Sequence, residues 1–355
     1  MKEKKILITG NEAIGEGAIQ AGCTFYAGYP ITPQNELTAY MAKRMPQGKR
    51  IFIQAESEVA AINMVYGAAT TGVRAMTSSS SPGVSLKQEG ISYLAGAQLP
   101  AVIVNIMRGG PGLGNIAPSQ SDYFQATKGG GHGDYRNIVL APSSVQEAYD
   151  FMFLAFDLAD KYRNPAVILG DGMLGQMMEP LIASHKSQVT SHKDKKKSWA
   201  LTGCQGRKPN IIRSLLLGEG ALEELNLTLQ KKYQVIQKKE QLWEDLFLDD
   251  AGIILVAYGS MARIAKSIVR QLRKQRKKIG LIRPISLWPF PNKIFQGISA
   301  KLKKTKFLVI EMSYGQMVED VRLAINGKFR VEFLGRAGGG IPAPQQIIRK
   351  INSMH

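Results

Sequence analysis

The sequence predicts an α/β protein: a parallel sheet with helices on both faces, followed by a smaller α/β unit. Three observations support this fold class. Short apolar segments alternate with helical segments through the first half of the chain. One of them, residues 101–107, is almost entirely apolar, as is typical of a strand buried on both faces. A second alternating series starts near residue 252, after a basic stretch of weak periodicity. Repeated βα units favour a parallel sheet.

The predicted elements of the first unit follow one another without long gaps up to residue 107. Strands are predicted at residues 5–9, 23–28, 51–54, 74–78, 101–107, 139–142 and 165–169. Helices are predicted at residues 13–21, 33–45, 56–71, 85–96 and 144–161, with a small-residue loop at 79–83. Thr32 is predicted to cap the second helix, because Pro33 suits a first helical position.

The remaining chain divides into a connector and a second unit. We predict a first domain at residues 1–183, a basic connector at 184–249 and a second α/β domain at 250–355. The connector is predicted to hold one long helix, from Leu222 to Phe247. The second domain is predicted to have strands near residues 252–258, 279–282, 307–311 and 331–334.

The net charge of +18 is unevenly distributed. Residues 1–180 carry 14 Lys+Arg and 15 Asp+Glu, whereas residues 181–355 carry 32 and 13. The excess lies in the connector, at Lys193, Lys195, Lys196 and Lys197, and in the run 270–278. Aromatic residues do not interleave these runs, as a base-stacking surface would require. We therefore expect a solvated basic face, or a face for an acidic protein, and no nucleic-acid partner.

The composition also indicates the cellular compartment of the protein. The 355 residues contain no apolar run of the roughly 20 residues needed to span a bilayer, and the charged start leads into a strand, so neither a membrane span nor an export signal is expected. Cys23 and Cys204 form no CxxC group, so we expect no iron–sulfur cluster held by this chain alone. We expect a cytoplasmic protein.

A long polar and glycine-rich segment, residues 108–134, follows the apolar strand. Loops of this length in compact domains are usually functional. Its glycines lack the GK[ST] ending of a phosphate-binding P-loop. His132 within it is predicted to be structural, although a polar role near a cofactor stays open, and with His185 and His192 in the connector no histidine metal site is expected.

Two carboxylates, Glu56 and Glu58, stand where a strand passes into a small, apolar helix. Ligand sites of α/β proteins gather at such junctions. From the helical pattern alone, Glu56, Ser57 and Glu58 are explained as residues that cap the helix and complement its positive end. A chemical role for one of them requires support from elsewhere in the sequence.

That support comes from a set of motifs spread over nearly the whole chain. Together they resemble the α subunit of the 2-oxoacid:ferredoxin oxidoreductases, and most closely the branched-chain member, which acts on 3-methyl-2-oxobutanoate (2-oxoisovalerate). The motifs are Gly10–Ala13, Gly28–Glu36, Gln54–Gly67, Thr77–Gly83, Met107–Gly112, Gln120–Asp122, Ala257–Ser260, Arg283–Pro284, Trp288–Pro291 and Glu311–Met317. The connector is the part that does not contribute.

The resemblance implies a thiamine-diphosphate enzyme whose cofactor lies between two subunits. This chain is expected to bind the aminopyrimidine, and a β subunit is expected to carry the diphosphate and Mg²⁺. Gly170-Asp171-Gly172-Met173 departs from the family's magnesium motif at its fourth residue and lacks the Asn expected near residue 200, so no metal site is predicted here. Iron–sulfur clusters are expected on partner chains, with possible γ and ferredoxin-like δ subunits, CoA as co-substrate and ferredoxin as acceptor.

The resemblance also implies roles for individual residues. Glu58 is expected to hydrogen-bond N1′ of the aminopyrimidine and to act as the catalytic residue, which leaves Glu56 as the capping residue. Thr32 and Arg108 are expected to bind the carboxylate of the 2-oxoacid, for which a guanidinium offers two parallel donors. Further cofactor contacts are expected from Tyr29, Pro30, Ile31 and Ser80. The second domain is expected to resemble the transketolase C-terminal domain and to serve subunit packing.

Two alternatives stay open on the sequence. A relative specific for 2-oxoglutarate or pyruvate would share the same motifs, because the residues lining the far end of the substrate pocket are not apparent from them. A more remote alternative is a non-catalytic nucleic-acid-binding protein that uses the basic second half, for which tight, salt-dependent binding would be expected.

Overall fold

The computed structural model describes residues 5–183, 197–301 and 304–354. Its strands are β1 (Lys5–Thr9), β2 (Phe25–Gly28), β3 (Ile51–Gln54), β4 (Ala75–Ser79), β5 (Val102–Met107), β6 (Ile138–Leu140), β7 (Ala166–Asp171), β8 (Met178–Ile182), β9 (Trp243–Leu246), β10 (Ile253–Val256), β11 (Ile279–Pro284), β12 (Ser286–Trp288), β13 (Lys306–Glu311) and β14 (Val331–Gly335). Its helices are α1 (Gly10–Gln20), α2 (Asn35–Gln47), α3 (Glu58–Thr70), α4 (Ser81–Gly96), α5 (Val145–Tyr162), α6 (Gly172–Gln176), α7 (Ala221–Lys239), α8 (Gly259–Lys274), α9 (Asn292–Lys301), α10 (Met317–Ile325) and α11 (Pro344–Ser353).

A seven-stranded sheet forms the first domain, in the order β12-β6-β7-β5-β4-β2-β3. All neighbours pair in parallel except β12, which runs antiparallel to β6. β5 and β7 are buried along their whole lengths, as their apolar sequences require. The parallel sheet predicted from the βα repetition is confirmed. Its carboxyl edge is formed by the residues that end each strand, and ligands of such folds bind at that edge.

The second domain holds a five-stranded sheet in the order β14-β13-β10-β11-β9, parallel except at β9. The first part of the basic run 270–278 lies in α8, which ends at Lys274. The apolar face of α8 packs on this sheet, while Arg263, Arg270 and Lys274 are exposed. The chain also crosses between the domains, because β12 lies beyond β11 in sequence yet extends the first sheet.

Three predicted elements differ in the structure. β1 is not part of the parallel sheet: it pairs antiparallel with β8, and within β1 only Ile8 is buried, so this strand lacks the two covered faces of a parallel strand. The predicted helix 222–247 ends at Lys239, because the segment from Trp243 extends and pairs with β11. The predicted small-residue loop 79–83 instead contains the first turn of α4, with Pro82 near its start.

Some predicted features fall outside the described residues, namely Lys193, Lys195, Lys196, His185 and His192. Among the helices within residues 5–183, 197–301 and 304–354, none is both long and apolar enough to cross a membrane.

Candidate active site

Glu58 is the first residue of α3 and lies at the carboxyl edge of the large sheet. Ser57 caps the helix by accepting a hydrogen bond from the backbone N–H of Ala60 at 3.1 Å. With this cap, the Glu58 side chain is directed inward and is only 6% exposed. Glu56 is exposed and forms no hydrogen bond with any described residue. The capping role predicted for Glu56 is therefore wrong, since Ser57 caps the helix. The two glutamates also differ in their surroundings: Glu58 is buried and Glu56 is exposed.

Gly83 brings α4 into contact with the Glu58 carboxyl group. A Cβ atom at Gly83 would lie 2.5 Å from Glu58 Oε1 and would also overlap Ser79 Oγ. Both atoms therefore lie against the bare Cα of one glycine. Glycine is required here because Glu58 and Ser79 come so close to its Cα. The backbone conformation does not require it, since Gly83 is helical and alanine could adopt the same conformation.

We expect Gly83→Ala to weaken binding of thiamine diphosphate, the cofactor that the sequence predicts for this edge, roughly tenfold in the predicted complex, because an added methyl group must displace the Glu58 carboxyl group. Titration of the cofactor into the variant complex, followed by calorimetry, measures this. Gly67→Ala is the matched control: Gly67 lies in α3, and a Cβ there meets nothing within 4 Å. Equal affinities for both variants would show that Gly83 does not shape the site.

Two neighbouring serine hydroxyls are buried without a partner. Ser79 Oγ and Ser80 Oγ accept or donate no hydrogen bond within the described part of the chain, although both side chains are fully buried. Buried polar groups are normally paired, and leaving one unpaired costs about 1–3 kcal/mol. Ser79 ends β4 and lies against the same glycine as Glu58, and Ser80 follows it as the first residue before α4, so the two hydroxyls are placed where a polar ligand could bind. Ser80 is one of the residues predicted to contact a cofactor.

The segment carrying Tyr29, Pro30 and Ile31 joins the same edge between β2 and α2. Its side chains are exposed or partly exposed, unlike the flanking strand. A chain of buried hydrogen bonds fixes the segment to β4: Ser78 Oγ lies 2.6 Å from both Tyr26 Oη and Gln34 Oε1, and Gln34 Nε2 donates to the Tyr29 carbonyl. The predicted cofactor-contact residues therefore lie along one edge with Ser80.

Arg108 directly follows β5 and contacts the predicted substrate residue Thr32. Its Nη1 donates to the Thr32 backbone carbonyl at 2.9 Å, and its Nη2 donates to the carbonyl of Leu113. Nε is buried and unpaired among the described residues. The Thr32 hydroxyl accepts from Asn35 Nδ2. Thr32 does not cap α2 as predicted, because a turn closed by Gln34 N–H on Ile31 delays the helix to Asn35.

A buried carboxylate that was not predicted as a site residue holds this arginine in place. Asp122 accepts from Ser81 Oγ at 2.6 Å and from Asn105 Nδ2 at 2.9 Å, and the Arg108 backbone N–H donates to the same serine. Burial raises the pKa of Asp122. Asn105 was not predicted as a site residue either, although a lone amide within the apolar run of β5 is a signal that could have identified it.

The second domain contacts the long segment 108–134 through hydrogen bonds and an ion pair. Gln120 donates to the Tyr258 carbonyl and accepts from Met312 N–H, while Tyr123 Oη donates to Asp320 at 2.5 Å. Lys128 forms an ion pair with the same aspartate. His132 is exposed, and only its backbone carbonyl, bonded by Ser92, is engaged among the described contacts. The segment is thus held by its contacts with the other domain.

Asp171 lies in Gly170–Met173, the segment that departs from the family's magnesium motif, and its carboxylate is engaged in hydrogen bonds within this chain. Its Oδ1 accepts hydrogen bonds from the backbone of Met173 and Leu174 and from Ser260 Oγ, so it caps α6 and joins the two domains. Burial raises its pKa. Over residues 5–183, 197–301 and 304–354, no group of three His, Cys, Asp or Glu side chains is placed to bind a metal ion.

Comparisons with known proteins show the family and the fold of this chain. Residues 16–234 match the model of the thiamine-diphosphate-binding domain of pyruvate flavodoxin/ferredoxin oxidoreductases. Residues 251–347 match core domain II of pyruvate:ferredoxin oxidoreductases. The ketoisovalerate oxidoreductase subunit VorB of Methanothermobacter marburgensis is 50% identical over 348 residues, or 98% of this chain and 97% of that protein. The 2-oxoglutarate synthase subunit KorA of Methanocaldococcus jannaschii is 36% identical over 363 residues, or 96% and 98%.

Among solved structures, a 2-oxoglutarate:ferredoxin oxidoreductase from Magnetococcus marinus, bound to 2-oxoglutarate, coenzyme A and succinyl-CoA, superposes with a TM-score of 0.86 and 27% identity. The match covers 99% of this chain and 65% of that chain, so this protein spans about two thirds of that relative's length. A split-gene transketolase in an inactive tetramer matches with a TM-score of 0.59 at 12% identity, covering 98% and 97%, which supports the fold alone.

Proposed function

Because the chain belongs to the pyruvate flavodoxin/ferredoxin oxidoreductase family, we propose that it is the subunit of a 2-oxoacid:ferredoxin oxidoreductase that holds the aminopyrimidine of thiamine diphosphate. The reaction is the oxidative decarboxylation of a 2-oxoacid to its acyl-CoA, with reduction of ferredoxin. One observation carries the residue assignment: the buried Glu58 carboxyl group lies against Gly83 at the sheet edge that also presents Arg108. The family assignment favours an enzyme over a nucleic-acid-binding protein.

The residues at this edge fit an aminopyrimidine. The hydroxyls of Ser79 and Ser80, unpaired among the described residues, offer polar partners, and the bare Cα of Gly83 allows Ser79 Oγ and the Glu58 carboxyl group to come close together. When bound, thiamine diphosphate supplies the carbon nucleophile that attacks the keto group. Glu58 would exchange a proton with N1′ of the ring, a task that suits a largely buried carboxyl group. Tyr29, Pro30, Ile31 and Ser80 would surround the ring and keep water away.

Arg108 and Thr32 would hold the carboxylate of the 2-oxoacid. Arg108 is partly exposed, its Nε is unpaired among the described residues, and two carbonyl contacts already orient its guanidinium group. Charge-assisted hydrogen bonds from such a preoriented donor position the substrate without further ordering of the side chain. The Thr32 hydroxyl, which accepts from Asn35, keeps its own proton for a substrate oxygen.

A partner subunit is needed to complete the site. The Asp171 carboxylate is already engaged by backbone N–H groups and by Ser260, which argues that Mg²⁺ and the diphosphate are bound by a β subunit. Iron–sulfur clusters on partner chains, possible γ and ferredoxin-like δ subunits, and CoA as co-substrate complete the proposal. Both cysteines are free thiols, which fits a cytoplasmic location.

The preferred substrate is a branched-chain 2-oxoacid, 2-oxoisovalerate. The 50% identity to a ketoisovalerate oxidoreductase subunit, against 34–38% to 2-oxoglutarate synthase subunits, favours it. A second substrate carboxylate would need an additional cation, whereas a branched chain needs an apolar pocket. Comparing kcat/KM for 2-oxoisovalerate, pyruvate and 2-oxoglutarate on the assembled enzyme tests this choice, and a higher value for 2-oxoglutarate would overturn it.

We expect no 2-oxoacid decarboxylation from this chain purified alone, and we expect decarboxylation to be restored after co-expression with its β subunit. The physical reason is that the diphosphate and Mg²⁺ ligands are contributed by the partner in this proposal. Release of CO₂ from labelled 2-oxoisovalerate, with and without the partner, measures this. A fully active isolated chain would refute the shared-site proposal.

A further inference from the structure

Asn11 is a buried asparagine in the motif Gly10–Ala13, to which the proposed chemistry gives no role. Its side chain is 0% exposed. Its Nδ2 donates hydrogen bonds to the backbone carbonyl of Pro33 and to Glu36 Oε2, both at 2.8 Å. Its Oδ1 is also buried and has no hydrogen-bond partner among the described residues. Because an unpaired buried polar atom destabilises the fold, core packing alone does not account for an amide at this position.

Gln176, the last residue of α6, makes the same two contacts as Asn11. Its Nε2 donates to Glu36 Oε1 at 3.1 Å and to the Pro33 carbonyl at 3.4 Å. Two amides on two helices therefore share one backbone carbonyl, and each bonds one oxygen of the same carboxylate. Hydrogen bonds to an ionised carboxylate are stronger than those between neutral groups, so Glu36 helps to hold both amides against Pro33.

Two glycines of α6 allow this close arrangement. A Cβ atom at Gly175 would lie 2.9 Å from Asn11 Oδ1, and a Cβ atom at Gly172 would lie 3.2 Å from Pro33 Cγ. The asparagine amide and the proline ring therefore both pack closely against the backbone of α6. This packing limits the movement of the amide and fixes it beside the carbonyl that it bonds.

Pro33 directly follows Thr32, and the backbone of this turn is held at two successive carbonyls. The Thr32 carbonyl accepts from Arg108 Nη1 at 2.9 Å, and the Pro33 carbonyl accepts from Asn11 and from the glutamine of α6. The Thr32 hydroxyl accepts from Asn35 Nδ2 and from neither of these two amides. Asn11 thus acts on the backbone that carries the hydroxyl, and it leaves the hydroxyl itself available.

We propose that Asn11 is a positioning residue for the substrate: it fixes the turn at Pro33 that presents the Thr32 hydroxyl to the carboxylate of the 2-oxoacid. Gln176 supports the same turn. This inference rests on the proposed function of Thr32. Both amides bond to the chain itself, so neither is assigned a contact with the substrate. The proton transfer assigned to Glu58 takes place on a different segment, so loss of either amide acts on KM rather than on kcat.

The test is the steady-state kinetics of the assembled complex with 2-oxoisovalerate, at saturating thiamine diphosphate and CoA. We expect Asn11→Ala to raise KM about tenfold and Gln176→Ala about threefold, each with kcat within about a factor of two, because each variant loses donors to the Pro33 carbonyl. Asn226→Ala is the matched control. The amide of this partly exposed asparagine donates to the Leu222 carbonyl of its own helix, so its loss should leave KM unchanged.

Thiamine diphosphate affinity, measured by calorimetry, separates positioning from a general loss of structure. The carbonyl of Tyr29, in the segment assigned to the cofactor, is held by Gln34 and not by Asn11. Asn11→Ala should therefore leave the affinity for the cofactor within about a factor of two. An affinity that falls as much as KM rises would overturn the inference, because Asn11 would then stabilise the whole sheet edge.

Thr32→Val separates the two levels of the proposal. If the proposed function holds, Thr32→Val alone raises KM, and adding Asn11→Ala raises it by at most about threefold more, because the hydroxyl that Asn11 positions is already absent. If Thr32→Val raises KM but the effects of the two substitutions multiply, or if neither Asn11→Ala nor Gln176→Ala changes KM, the role of Asn11 alone is overturned. An unchanged KM in Thr32→Val would refute the role of Thr32 itself. If Asn11→Ala does not assemble, the same comparison is made with Gln176→Ala, at an exposed side chain.

Discussion

Glu58→Gln in the assembled complex is expected to slow exchange of the C2 proton of bound thiamine diphosphate by roughly 10²–10⁴-fold, the range typical of lost acid–base catalysis. The amide has the shape of the carboxyl group but cannot take up or release a proton. Because Glu58 is 6% exposed and touches the bare Cα of Gly83, the neutral replacement fits the same space. Rapid-quench deuterium exchange followed by NMR measures the rate.

The chain offers a control two residues away. Glu56→Gln makes the same chemical change at an exposed side chain just before the Ser57 cap, and it should leave the exchange rate within a factor of two of the unmodified complex, as surface substitutions usually do. Unchanged exchange in Glu58→Gln, with the cofactor still bound, would remove Glu58 from the proton transfer.

Glu56 and Glu58 show how much of the candidate site could be predicted from the sequence. Helical periodicity placed both at a strand–helix junction but could not decide between them, and the motifs that assigned Glu58 rested on resemblance. The deciding physical feature is the Ser57 cap, which fixes where α3 begins and so directs Glu58 inward. The contact with Gly83 joins residues 25 positions apart and depends on how α4 packs, which local patterns do not encode.

The same limit explains the differences in the fold. Burial on both faces made β5 and β7 predictable, because their sequences are mostly apolar. The pairing of β1 with β8 and the addition of β12 to the first sheet are antiparallel contacts between segments distant in sequence. The hydrophobic periodicity of a segment does not predict which distant segment it pairs with. The family assignment and the parallel α/β fold were predicted and are confirmed.

The second domain has a larger part in the site than the predicted role in subunit packing. It holds the segment 108–134 through Gln120, Tyr123 and Lys128, and that segment carries Asp122, which bonds the serine that fixes Arg108. The position of Arg108, the arginine proposed to bind the substrate, therefore depends on contacts between the two domains. Loop positions of this kind are set by tertiary contacts, which is why the sequence identified the segment as functional without identifying Asp122 or Asn105.

Arg108→Lys is expected to lower kcat/KM for the 2-oxoacid by roughly 10–100-fold, mainly through a higher KM, because a charge-assisted hydrogen bond is worth about 1.5–3 kcal/mol. Lysine keeps the charge but lacks the planar fork, so it cannot bond the carbonyls of Thr32 and Leu113 and also present a second donor to a carboxylate. Steady-state kinetics at saturating thiamine diphosphate and CoA measure the effect.

Arg44→Lys is the matched control for this prediction. Arg44 pairs with Glu16 at 3.2 Å on the surface, remote from the carboxyl edge, and lysine can keep such a pair. Its kinetic constants should match those of the unmodified complex, and thiamine diphosphate affinity should be unchanged in both variants, since Arg108 is assigned to the substrate. An unchanged KM in Arg108→Lys, accompanied only by a lower melting temperature, would show that Arg108 orders the segment 108–134 rather than binding the 2-oxoacid.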